Sequence, residues 1–155
     1  MNRFHQFVEE NLRWFRGRCH ESTASLDAAE RTLGVSIPGE IRWLLSTYGY
    51  WHATGISSLD ETVTDTLAAR QHLNLPNRFI VLYDHQDGGV ILLDTIADNE
   101  GNNKVYNEDW SAVPDHLGEN IQYRSYLDYT RAVLETEQDF IAEENVDYDP
   151  SSDHR

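Results

Sequence analysis

Residues 79–83 read Phe-Ile-Val-Leu-Tyr and residues 90–93 read Val-Ile-Leu-Leu, with Asp84-His85-Gln86-Asp87-Gly88-Gly89 between them. Both runs are apolar and rich in residues that favour strands, and the Asp-Gly step favours a tight reversal. Together they predict an antiparallel hairpin at the middle of the chain. A third strand is expected at residues 104–106, Lys-Val-Tyr, beyond the polar loop at residues 98–103.

On either side of the hairpin the apolar period is helical. Phe4, Phe7, Val8, Leu12 and Phe15 share a face that Trp14 extends, with Asn2 as the expected N-cap and Gly17 ending the pattern. A second helix is expected over residues 25–33, capped by Ser25 and closed by Gly34, with Leu26, Ala29 and Leu33 on one face. Pro38 suits the first turn of a third helix, Ile41, Leu44, Leu45 and Tyr48 line its buried side, and Gly49 closes it. Asp60 is placed to cap a short helix through residues 67–73, ended by Pro76 and Asn77. The helical stripe returns near Ser125 with Tyr126, Tyr129, Val133, Leu134 and Phe140. The order predicts an α+β domain: N-terminal helices, a three- or four-stranded antiparallel β-meander, and a closing C-terminal helix. Residues 1–19 are expected to form a helical extension, 20–142 the domain, and 143–155 a flexible acidic tail. The aromatic residues of the first helix could cover the core or build a weak homodimer, and a monomer or weak homodimer is expected.

Charge narrows the partners. The chain of 155 residues carries 27 acids against 12 Lys and Arg, a formal net charge of -15. Such a field repels phosphate backbones and anionic membranes, and the favoured partner is a basic protein. Solubility alone is the competing explanation. The lone Cys19 cannot form an internal disulfide, glutamates interrupt any apolar leader, and no run approaches a membrane span, so a cytoplasmic location is expected.

Catalytic patterns are lacking. No histidine pair has the i, i+4 spacing with an intervening Glu of a zinc hydrolase. The acids around 84–87 and 94–100 lack the ligand spacing of a calcium loop. Cys19 has only the adjacent His20 to activate it, Gly88-Gly89 lacks the Lys of a phosphate loop, and no nucleophile elbow occurs. No metal, no cofactor and no enzymatic activity are expected. Trp14 and Trp43 fall near apolar helix faces and are assigned to the core, whereas Trp51 and Trp110 lie in or beside loops as possible contact residues.

The segment Leu26-Asp27-x-x-Glu30-x-x-Leu33-Gly34-Val35-Ser36-Ile37-Pro38-Gly39-Glu40-Ile41 resembles the opening motif of the SUKH superfamily, the Smi/Knr-like domain. The hairpin at 79–94 is similar to that family's central hairpin, residues 104–106 to its next strand, and residues 123–134 to its aromatic closing helix. The resemblance covers roughly residues 20–135. It departs from the pattern where Tyr48-Gly49 replaces the usual Asn-Gly, and in the added N-terminal helix and acidic tail. It implies an immunity protein that neutralises a cognate polymorphic toxin, often a nuclease, without a catalytic triad or cofactor. A phosphate-mimicking acidic surface fits that role. The exposed loop acids expected to contribute are Asp60, Glu61, Asp65, Asp84, Asp87, Asp98, Glu100, Glu108 and Asp109, with Trp110 as an anchor. Asp60 doubles as an expected cap. A regulatory or scaffold module binding a cellular protein is the alternative, and a hydrolase is the third reading.

Overall fold

A computed structural model describes residues 2–119 and 122–144. The chain opens with α1 (Arg3–Glu10) and a single turn, α2 (Leu12–Phe15). Asn2 caps α1 by accepting the His5 N–H, as expected. The continuous first helix is instead broken at Asn11, whose side-chain amide donates to the Phe7 carbonyl at 2.8 Å and so competes with the helical ladder. In α3 (Thr23–Leu33) the cap is Ser22, and Ser25 stands at the third helical position, where the two serines exchange hydrogen bonds in a capping box. Gly34, left-handed at φ 70°, closes it.

The helix α4 (Gly39–Thr47) starts one residue after Pro38, whose carbonyl accepts the Ile41 and Arg42 N–H groups. Ser58, and not Asp60, caps α5 (Leu59–Leu73) through the Glu61 N–H. Asp60 and Glu61 occupy its first turn, where the helix dipole favours acids. That helix ends at Asn74, before Pro76. The motif around α3 and α4 has a mechanical basis. The Glu30 carboxylate accepts the Ile37 N–H at 2.7 Å and stands 3.1 Å from Arg42, which also donates to Asp27 at 2.9 Å.

Four strands follow in simple meander order, every pair antiparallel: β1 (Phe79–Asp84), β2 (Gly89–Asp94), β3 (Val105–Asp109) and β4 (Gln122–Tyr123). A 3-10 turn (Trp110–Ala112) and α6 (Val113–His116) bridge β3 to β4, and α7 (Tyr126–Glu144) closes the fold. A bulge at Leu82 breaks the β1–β2 register, since Val81 pairs with Leu92 and Tyr83 with Ile91. Leu82 and Tyr83 therefore both address the face that carries Ile80, Ile91 and Leu93. Strand β1 is an edge strand, and its outer side is covered: the Val81 N–H donates to the Thr66 hydroxyl of α5, and the Ser57 N–H donates to the Leu82 carbonyl. At the far end of the hairpin Arg78 donates two hydrogen bonds to buried Asp94.

Each face of the sheet has its own core. On one, Ile80, Leu82, Ile91, Leu93 and Val105 pack beneath side chains of α1 to α4 and α7, with Phe4, Phe15, Leu44 and Tyr126 fully buried. On the other, Phe79, Val81, Val90 and Leu92 meet Ala69, Leu75 and Val113, with Trp110 and Leu117 against them. Each large buried side chain contributes about 1.5–3 kcal/mol of transfer free energy. The aromatic face of the first helix thus covers the core: Phe4 packs on Trp43 and Tyr126, and Trp14 is buried. Of the expected flexible tail, residues 145–155 lie outside the described residues. No described helix is long and apolar enough to cross a membrane, and no three His, Cys, Asp or Glu side chains among the described residues are grouped to hold a metal ion.

Candidate functional site

Charge is distributed unevenly along the chain. The first 42 residues hold six acids and six arginines, whereas residues 43–103 hold eight acids and two arginines. Those two are engaged elsewhere, Arg78 by Asp94 and Arg70 by the carbonyls of Leu33 and Asn77.

Several of the expected contact acids meet at the turn end of the β1–β2 hairpin. Asp65, half-buried on α5, has its carboxyl raised above the usual range by burial first, then by the neighbouring charges of Asp84 and Glu61. Asp84 ends β1 and accepts the Gln86 N–H. Asp87 is exposed in the turn and accepts the Gly89 N–H. Gly89 pairs with Asp109, which is exposed at the end of β3, and the Trp110 N–H donates to the Gly88 carbonyl. Glu61, Asp65 and Asp84 thus form an acidic ridge that Asp87 extends into the turn, with Asp60 exposed beside Glu61, while Asp109 stands at the same end of the sheet two strands away, next to half-buried Trp110.

The remaining acids do not join it. Asp98 and Glu100 lie in the β2–β3 loop, at the opposite end of the hairpin. The Asp98 carboxylate accepts the Asn102 and Glu100 N–H groups, and these bonds, the former foremost, hold its pKa below the ordinary value, with Lys104 and Arg124 adding to the effect. Its charge is committed to folding its own loop. Glu108 is a correction: it is not an exposed loop acid but only 2% exposed, within β3, and accepts the Gly118 N–H at 2.7 Å. Strand alternation explains this, since Glu108 shares a face with Tyr106 and turns toward the second core while Asn107 and Asp109 address the other side.

Next to the ridge lies a groove of about 410 Å³ that no local spacing in the sequence marks. Its floor is the sheet face at Ile91 and Asn107, one wall is the loop carrying Trp51, His52 and Gly55, and the other is α7 at Val133, Thr136 and Glu137. Tyr83, His85, Tyr123 and Tyr129 add aromatic edges. The loop is pinned from below: the Tyr126 hydroxyl donates to the Thr54 carbonyl at 2.6 Å and the Tyr129 hydroxyl to the Gly55 carbonyl at 2.7 Å. Burial raises both phenol pKa values, so both stay protonated donors. Gly55 sits at φ 71°, and a Cβ there would stand 2.5 Å from the Tyr129 ring, so the position needs glycine. Trp51 was the one groove aromatic that loop position alone marked. The others come from separate segments that only the fold brings together.

Helices packed on both faces of an antiparallel meander define an α+β domain. Residues 23–123 match the SUKH_6 family, described as SMI1-KNR4 cell-wall, and the chain belongs to that family. No curated protein matches the chain.

Proposed function

We propose that this protein is an immunity protein that binds a cognate polymorphic toxin, most simply a nuclease, and neutralises it by covering its basic site. The observation that carries this reading is the ridge of Glu61, Asp65, Asp84 and Asp87, set in residues 43–103 whose two arginines are tied to other partners, with Asp109 at the same end of the sheet. A nuclease must be cationic where it holds phosphates. An anionic protein fits that site as a phosphate mimic and is steered to it, at rates that fall with added salt. A standard interface takes about 800 Å² from each partner. In this reading the protein is non-catalytic and acts in the cytoplasm, where such a toxin would find its substrate.

The test is co-expression with the toxin domain encoded immediately upstream, scored by cell survival and by a complex on size exclusion. Replacing Glu61, Asp65, Asp84, Asp87 and Asp109 with their amides is expected to slow association at least ~10-fold at low ionic strength and to flatten its salt dependence. Unchanged protection and an unchanged salt slope in that variant would overturn the acidic-surface mechanism.

A further inference from the structure

The geometry points to a specific occupant for the groove beside the ridge: an arginine side chain projected by the basic partner. The inference deepens the reading above and rests on it. Aromatic rings dominate the slot. Tyr83, 40% exposed, and Trp51 flank its mouth, with Tyr123 and Tyr129 packed on each other at 5.6 Å deeper in. Guanidinium groups stack on such faces.

The polar groups are disposed for the same ligand. Glu137 is the one carboxylate in the lining, which among the described residues contains no Lys or Arg. Its side chain is 35% exposed and His52 Nδ1 stands 3.8 Å away, so a guanidinium entering the slot meets a carboxylate flanked by an imidazole. Asn107 adds an amide to the floor. A purely apolar occupant would desolvate Glu137 without pairing it, which is costly. A lysine would satisfy the charge but present no plane to the rings. The planar, forked guanidinium does both. The slot's volume lies within the roughly 300–1,000 Å³ usual for defined ligand sites. The ridge starts beside it along the chain, since Asp84 lies between the groove residues Tyr83 and His85 and alternates to the other face of β1. An arginine at the edge of a basic toxin surface would therefore fix the docked orientation while the ridge supplies attraction.

The test needs no toxin. The full ¹⁵N-labelled chain is titrated with N-acetyl-arginine amide and with its neutral isostere N-acetyl-citrulline amide, following the Trp51 indole N–H, which Trp51→Phe assigns. The arginine probe is expected to shift that signal saturably and to bind ~10-fold more tightly than citrulline. Glu137→Gln should abolish the preference, and Tyr83→Ala should weaken the arginine probe ~5-fold. Equal binding of the two probes, no saturable shift, or a preference untouched by Glu137→Gln would overturn the assignment. If arginine binds but no toxin is neutralised, the slot stands and the immunity reading fails. If the toxin is neutralised but the slot ignores arginine, the reverse holds.

Discussion

Substituting Glu30 tests the joint between α3 and α4. One carboxylate oxygen accepts the half-buried Ile37 N–H at 2.7 Å, and the other faces Arg42 at 3.1 Å. A hydrogen bond to a charged acceptor contributes about 1.5–3 kcal/mol. The Arg42 pair, with side chains about a quarter exposed, adds only about 0.5 kcal/mol after solvent screening. Alanine returns about 0.3 kcal/mol through its helix propensity. Glu30→Ala should therefore cost about 2–3 kcal/mol. Glu30→Gln keeps an oxygen for Ile37 but turns an NH2 donor toward Arg42 and loses that pair with the charge, so it should cost about 1 kcal/mol. With a urea slope of about 2 kcal/mol per molar, the midpoint should fall ~1–1.5 M for Ala and ~0.5 M for Gln, at unchanged slope. Equal midpoints for the two variants, or a loss below ~0.5 kcal/mol for Ala, would refute the idea that this bond holds the joint.

Three further outcomes are expected. Gly55→Ala, strained at φ 71° and crowding the Tyr129 ring, should cost about 2–4 kcal/mol in urea denaturation and alter the near-ultraviolet circular dichroism of the groove aromatics. Tyr126→Phe leaves the buried Thr54 carbonyl unpaired and should cost about 1–2 kcal/mol, read as a lowered Tm. Asp65 has a folded pKa above its ordinary 3.8, so the native state holds that proton more tightly than the unfolded chain. Stability is then lost as pH rises through that window and stays reduced at pH 7. Asp65→Asn should accordingly raise Tm at pH 7 and converge with the parent below about pH 3.5.

The hairpin and the helical faces were legible because a period of two or of 3.6 survives in any sequence whose element has a buried side. Caps were less so. Residues 21–25, Glu-Ser-Thr-Ala-Ser, offer two serines three apart, and propensity does not choose between them. Both bond in the structure, and the register is held from a distance: Glu21 accepts the Tyr50 hydroxyl at 2.6 Å, and the same oxygen of Tyr50 receives the Leu59 N–H. Ser58 displaced Asp60 for a similar reason, since Leu59 is buried and must begin the helix. Glu108 looked like its neighbour Asp109, but alternation along β3 and a partner ten residues away at Gly118 put it inside. The acidic ridge was readable as a list of residues yet not as a place, because α5, the hairpin and the end of β3 meet only in three dimensions. The groove was unreadable for the same reason, its rings coming from positions 51, 83, 123 and 129.

The packing of Phe4 on Tyr126, with ring centroids 5.4 Å apart, sets a delay during synthesis. The residue that the first helix must meet leaves the ribosome more than 120 positions after it. At roughly 5–20 residues per second that interval is ~6–24 s. Trp43 and α4 can reach the apolar stripe of that helix earlier, but throughout the interval Phe4 lacks the Tyr126 ring that completes its cover. The closing helix is therefore the step that ends this protein's exposure to misassembly. A premature stop before residue 126 would release a product in which Phe4 lacks its Tyr126 contact.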